Sequence, residues 1–131
     1  IVDYGLGINL YAAEVVELVN EERAKAGLNE LRVETNLQFA ATARAIELIQ
    51  EPSHTRPDGS QCFTILGEYG ISYYTAGENI AFGYPDPEMV MTGWMNSPGH
   101  RSNILSPNFT AIGVGVVDYG GSVYWTQLFI G

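Results

Sequence analysis

The chain has 131 residues, of which 46% are hydrophobic, and its 15 acidic and 6 basic side chains give a formal net charge of −9. This length suits one domain with one core, so we predict a single domain over residues 1–131. The negative charge repels phosphate backbones, and charged or proline residues interrupt every apolar stretch well short of the roughly twenty residues that span a bilayer. We therefore expect no nucleic-acid partner and no transmembrane segment.

The N-terminal part of the sequence predicts two helices. The first is expected to run from Asn9, as its N-cap, to about Ala26, because Gly27 follows at a position that favours a left-handed residue. The second is expected to follow Thr35 or Asn36. Its apolar stripe recurs at three- and four-residue steps and comprises Leu37, Ala40, Ala41, Arg44, Ala45, Leu48 and Ile49. The many alanines allow this face to lie close against a neighbouring layer.

The middle of the chain predicts a short strand followed by two helices. Residues 76–82 alternate in the manner of a strand. Asp86 can accept hydrogen bonds from free backbone amides, Pro87 has no amide to leave unpaired, and Glu88 meets the positive helix end, so a helix is predicted from there to about residue 96. Pro98 fits the first turn of another short helix.

The C-terminal part predicts a β-hairpin. The runs 110–119 and 122–130 are rich in β-branched and aromatic residues, and Gly120-Gly121 between them suits the positive φ angles of a tight turn. Both faces of this hairpin are apolar, so helices are expected to cover both sides. The predicted fold is of the α+β class, a three-layer α-β-α sandwich with a small antiparallel sheet.

The sequence contains only two histidines, His54 and His100, and both lie at the ends of predicted elements. Taken alone, each is more often a hydrogen-bonded structural side chain than a ligand or a base. His100 would lie near the N-terminus of the short helix, where the positive helix end disfavours the charged imidazole.

Glu78 is the acidic side chain whose position is most unusual. Strand alternation places it on the same side as Ile80 and Phe82, which sets a carboxylate on an apolar face. A buried charge without partners is costly, so a cationic, metal or hydrogen-bonding neighbour is expected. The alternative is that Glu78 turns outward at a sheet edge.

One further residue and one segment have structural explanations. Cys62 is the only cysteine, so it cannot form an internal disulfide, and its apolar surroundings favour a buried structural role over a catalytic one. The segment Arg56-Pro57-Asp58-Gly59 is suited to a turn. Its functional alternative places Arg56 or Asp58 at the edge of a cleft.

Several short motifs follow one another in a recognisable order. They are Asn20-Glu21-Glu22-Arg23, Ser53-His54-Thr55-Arg56-Pro57-Asp58-Gly59, Gly77-Glu78-Asn79-Ile80-Ala81, Trp94, Ser97-Pro98-Gly99-His100-Arg101-Ser102-Asn103-Ile104-Leu105, Ile112-Gly113-Val114-Gly115 and Tyr124-Trp125-Thr126-Gln127. Together they resemble the CAP superfamily of cysteine-rich secretory proteins, antigens and pathogenesis-related proteins, specifically its bacterial SCP-like branch. The resemblance extends from about residue 14 to the end of the chain.

The resemblance implies an α-β-α sandwich and a central cleft that typically gathers two histidines and two acidic residues. On this chain the matching positions are His54, His100 and Glu78. The second acid of the family normally follows the helix tryptophan by three residues, where this chain has Ser97. That departure weakens any mechanism that needs paired carboxylates. The resemblance also implies an extracellular or cell-envelope location.

Two imidazoles and one carboxylate suit Zn²⁺ or a related divalent ion and leave a fourth position for water or a ligand. We therefore expect a metal site at His54, Glu78 and His100, in a cleft that Ser97 and Arg56 also line. The expected function is a binding domain without turnover. Its ligand would be a small molecule, a lipid, a wall polymer or a protein.

Two other functions fit the same residues. In a hydrolase, a histidine would act as base or hold a metal-bound water, and Glu78 would orient it. Neither an H-E-x-x-H helix nor a nucleophile elbow supports this alternative. In a purely structural role, the polar cluster would only hold the sandwich together.

Overall fold

The computed structural model describes residues 6–131 of the chain. The elements, in chain order, are α1 (Leu6–Lys25), β1 (Arg32–Val33), α2 (Thr35–Gln50), α3 (Thr64–Glu68), β2 (Ala76–Phe82), α4 (Pro87–Met95), α5 (Pro98–Ile104), β3 (Ala111–Tyr119) and β4 (Ser122–Ile130). No helix within this range is long and apolar enough to cross a membrane.

The sheet has four strands in the order β1-β3-β4-β2. β3 and β4 form the predicted antiparallel hairpin, and its two turn residues, Gly120 and Gly121, have φ angles of 61° and 84°. β2 pairs antiparallel with β4, whereas the short β1 pairs parallel with β3. The sheet is thus mostly antiparallel, and β2 lies at its edge.

Helices cover both faces of the sheet, which confirms the predicted α-β-α sandwich. On one face, α1, α4 and α5 bury a large aromatic core with the hairpin, including Trp94, Trp125 and Phe129. On the other face, α2 and α3 bury smaller residues, such as Ala40 and Ala41, against Leu128. Glu78 also lies on this second face, where its carboxylate is buried.

The alanine-rich α2 lies very close to β3. A Cβ atom at Gly115 would overlap the backbone carbonyl of Ala41, and one at Gly113 would overlap that of Leu37. The Gln38 side chain joins the two layers further, because Val114 N donates to Gln38 Oε1 at 2.8 Å. Small residues on both layers therefore bring α2 against the sheet.

Two predicted helix starts need correction. α1 begins at Leu6, so Asn9 lies inside the helix and is not its N-cap. Burial of Val15 and Val19 in later turns holds this helix, so its start does not depend on a cap at residue 9. α2 begins at Thr35, and the carboxylate of Glu34 caps it by accepting from two backbone amides.

The structure also contains two elements that we did not predict, β1 and α3. Both are too short to carry a clear periodicity. The helix start at residues 86–87 is confirmed, because the Asp86 side chain accepts from Met89 N at 2.9 Å and Pro87 is the first helical residue. Pro98 likewise opens α5.

Candidate functional site

The carboxylate of Glu78 is buried on edge strand β2, with only 1% of its side chain exposed. Its cationic partner is Arg44 of α2, whose side chain has no exposed surface. Arg44 Nε donates to Glu78 Oε2 at 2.7 Å, and Arg44 Nη2 donates to Glu78 Oε1 at 3.2 Å. Glu78 therefore does not turn outward, and the two-bond pairing satisfies its buried charge.

Arg44 is the residue of this site that our sequence analysis did not identify as functional. It appeared there as one member of the apolar stripe of α2. The position of this guanidinium in an otherwise apolar stripe could have predicted an acidic partner on the facing layer, because a buried cation needs an anion. Glu78 is that anion.

Further charged side chains extend this pair towards α3. Arg44 Nη1 donates to Glu47 Oε1 at 2.9 Å, and Glu47 in turn accepts from Arg56 Nη2 at 2.8 Å. Arg56 Nη1 then donates to Glu68 Oε2 at 2.6 Å. Charges of alternating sign thus run from β2 to α3.

Arg56 is buried within this chain of charges. Its hydrogen bonds to Glu68, and then those to Glu47, raise the pKa of its guanidinium. The same contact with Arg56 lowers the pKa of the Glu68 carboxyl. Arg56 therefore anchors the loop that follows His54. Its donors are used in the ion pairs with Glu47 and Glu68 and in a hydrogen bond to Thr64.

His54 lies in the loop after α2 and contacts the buried carboxylate directly. Its Nδ1 is 2.8 Å from Glu78 Oε1, while 59% of its side chain is exposed. The loop is held by its own backbone: Cys62 N donates to the carbonyl of His54 at 3.1 Å, and Thr55 and Gln61 form an isolated bridge. The imidazole is thus fixed at Nδ1 and open to solvent on its other side.

Cys62 is buried, as predicted, and it lies beside the same carboxylate. One ligand atom each from His54, Cys62 and Glu78 lies within 4.8 Å of the other two. Burial first, and then the charge of Glu78, raises the pKa of the Cys62 thiol to about 12. The thiol is therefore protonated at neutral pH and is not an activated nucleophile.

His100 occupies the third position of α5, and that helix is fixed to β2 by buried amides. Asn79 Nδ2 donates to the carbonyl of His100 at 3.1 Å, and Asn103 Nδ2 donates to Asn79 Oδ1 at 2.8 Å. Burial, and then the charge of His54, lowers the pKa of His100. The direction is the one predicted for His100, and burial is its leading cause.

The structure brings some of the predicted site residues closer together than others. His54 and Glu78 are in direct contact, and His100 lies near enough for the charge of His54 to act on it. Within residues 6–131, the three-donor group contains Cys62 rather than His100. Ser97 is the N-cap residue of α5, and its side chain makes no capping bond.

The sequence matches the profile of the cysteine-rich secretory protein family over residues 16–129. It is 47% identical over 126 residues to YkwD, an uncharacterized protein of Bacillus subtilis. That match covers 95% of this chain and 48% of the relative, so the chain spans about half the length of YkwD.

Solved structures show the same fold. An extracellular protein of Bacillus anthracis that contains an SCP domain superposes with a TM-score of 0.85 at 30% identity, over 93% of this chain and 40% of that one. An outer surface protein of Borrelia burgdorferi superposes with a TM-score of 0.82 at 24% identity, over 90% of each chain, which supports the fold alone. By sequence profile and by fold, the chain belongs to the cysteine-rich secretory protein, or CAP, family.

Proposed function

We propose that this chain is a binding domain of an extracellular or cell-envelope protein and that its cleft binds a divalent metal ion, Zn²⁺ above all. His54, Glu78 and His100 would hold the ion. The observation that carries this proposal is the 2.8 Å contact between Nδ1 of the exposed His54 and the buried carboxylate of Glu78.

In the metal-free protein, the contact with the Glu78 carboxylate fixes the orientation of the His54 ring and holds the two donors side by side. Glu78 is held in place for this contact by two hydrogen bonds from Arg44. The lowered pKa of His100 favours the neutral imidazole that a metal requires. These nitrogen and oxygen donors fit Zn²⁺, which would act as a Lewis acid and bind a further ligand.

The relatives support the proposed location. The Bacillus anthracis protein is described as extracellular, and the Borrelia burgdorferi protein as an outer surface protein. We propose that residues 1–131 form one such domain of a longer protein. Its partner would be an envelope small molecule, lipid, wall polymer or protein.

A hydrolase is the second candidate, because an imidazole oriented by a buried carboxylate is also the arrangement of a general base. The thiol of Cys62 is protonated and buried, so it does not supply the nucleophile. A hydrolase would thus depend on a water molecule that the metal or His54 activates. Turnover of a peptide or ester library that disappears in His54→Ala would support this candidate over a binding domain.

Isothermal titration of metal-stripped protein with Zn²⁺ tests the metal site. We expect saturable binding to the wild type, and clearly weaker binding in His54→Ala and in His100→Ala. Glu78→Gln keeps the shape of the side chain but removes its charge, and it should weaken binding at least about 10–100-fold, the loss seen on removing even an outer, orienting carboxylate. Glu30→Gln, an exposed change of the same type, is the matched control. Absence of saturable heat with Zn²⁺, Co²⁺ and Ni²⁺ would overturn the proposal.

A further inference from the structure

The strongest unexplained feature beside His54 and Glu78 is the buried thiol of Cys62. Cys62 Sγ lies in the same group of donor atoms as His54 and Glu78, all within 4.8 Å of one another. The thiol is buried, whereas 59% of the His54 side chain is exposed. A soft donor therefore lies beside a solvent-accessible nitrogen donor.

The loop that carries both residues is built to hold them in place. The backbone amide of Cys62 donates to the carbonyl of His54, and Thr55 pairs with Gln61 just inside that bond. Arg56 N donates to the carbonyl of Ser60 at 2.8 Å, which closes the turn. His54 and Cys62 are thus fixed relative to each other, so little ordering would be needed when an ion binds.

The carboxylate has one oxygen that is more available than the other. Arg44 binds Glu78 Oε2 at 2.7 Å, whereas its contact with Oε1 is longer, at 3.2 Å. Oε1 is also the oxygen that contacts His54 Nδ1. An ion can therefore replace the His54–Oε1 hydrogen bond while Oε2 stays paired with Arg44.

We propose that Cys62 is a metal ligand and that, with His54 and Glu78, it forms a thiolate-containing site. This inference rests on the proposed metal-binding function and names the ligand that sets its selectivity. As the metal–sulfur bond forms, the S–H bond breaks and its proton passes to the buffer. The thiolate adds a negative charge that is not already paired, since the charge of Glu78 is shared with Arg44.

A sulfur ligand defines which ions the site accepts. Thiolate with imidazole favours Zn²⁺, Co²⁺ and Cd²⁺. Mg²⁺ and Ca²⁺ require six or more oxygen ligands and gain little from sulfur, so they should not compete. The site should therefore retain Co²⁺ in a large excess of Mg²⁺.

Absorption spectroscopy of the Co²⁺-loaded protein tests the inference, because a Co²⁺–thiolate bond gives a charge-transfer band in the near ultraviolet. The sequence contains a single cysteine, so any such band reports Cys62. We expect the band to saturate together with the visible bands of bound Co²⁺. Cys62→Ser should remove it and weaken Co²⁺ binding at least about 100-fold, beyond the cost of losing a supporting partner.

The outcomes separate this inference from the proposed function. Saturable Co²⁺ binding without the band overturns the role of Cys62 and leaves the metal-binding function standing, whereas no Co²⁺ binding overturns both. In His100→Ala, Co²⁺ binding should be weaker, but the Co²⁺ that binds at higher concentration should still give the band, because His100 is outside the three-donor group. A band that appears only as the protein dimerises would place the sulfur between two copies and overturn the inference. Circular dichroism of each variant verifies that it is folded.

Discussion

The two faces of the sheet are packed by different means. The face towards α1, α4 and α5 is filled with large apolar side chains, among them the fully buried Trp94 and Trp125. The face towards α2 has small residues at its centre and, at the edge strand, the buried ion pair of Arg44 and Glu78. Burial of apolar area stabilises the first face, whereas close approach and charge pairing shape the second.

The ion pair of the second face lies against the proposed metal site. A buried ion pair is often no more stabilising than apolar residues of the same volume, so stability alone does not explain Arg44 and Glu78. The proposed function offers a reason, because Glu78 contacts His54 while Arg44 holds the carboxylate in place.

The largest expected effect comes from breaking the ion pair on one side only. Arg44→Met should lower the free energy of unfolding by about 3–5 kcal/mol, because it leaves the buried Glu78 carboxylate uncompensated. Adding Glu78→Gln to that variant should recover part of the loss. Chemical denaturation of the wild type, both single variants and the double variant measures the coupling, and simple additivity would contradict it.

The next effect tests the close approach of α2. Gly115→Ala should cost about 3 kcal/mol, because its Cβ would overlap the carbonyl of Ala41 and push the helix from the sheet. Gly67→Ala is the control, since a Cβ there meets open space within α3 and should be neutral or stabilising. Urea unfolding compares the two. Equal stabilities would show that the two layers can separate freely.

A smaller effect is expected from the amides that hold α5. Asn103→Ala should cost about 1–2 kcal/mol, because it leaves the buried acceptor oxygen of Asn79 without its donor. It should also change the NMR signals of the His100 ring more than those of His54. Equal shifts of both rings would argue that α5 is not the element that positions His100.

The smallest effect concerns pH. The pKa of His100 is lowered in the folded metal-free protein, so the unfolded chain binds a proton first and stability falls as the pH drops below 6.5 through the lowered pKa. NMR titration should show a low pKa for His100 that rises in His54→Ala, which removes the neighbouring charge. We expect the free energy of unfolding to fall less steeply from pH 7.5 to pH 5 in His100→Gln than in the wild type, because the contribution of His100 is removed. An unchanged slope would contradict the assignment.

Local signals in the sequence were enough to predict several parts of the fold. The Gly120-Gly121 hairpin and the Asp86-Pro87 helix start follow from backbone preferences of one or two residues, and both are confirmed. Strand alternation also identified Glu78 as a carboxylate in need of a partner. The proximity of His54 to Glu78 was expected from the family resemblance, since residues 24 positions apart carry no local signal of contact.

The remaining features depend on how distant layers meet. Arg44 and Glu47 are neighbours on α2, yet their pairing with Glu78 and Arg56 is fixed only when α2 lies against the sheet. Cys62 was predicted to be buried, but burial alone does not identify the neighbours. The start of α1 was misplaced because tertiary packing, not a capping residue, determines it.

The most direct test of the central claim is anomalous diffraction at the zinc absorption edge from crystals of the protein soaked in Zn²⁺. The account predicts one strong peak in the cleft, within bonding distance of His54, with Arg44 still paired to Glu78. A peak only at surface carboxylates away from His54, or none at saturating Zn²⁺, would contradict it.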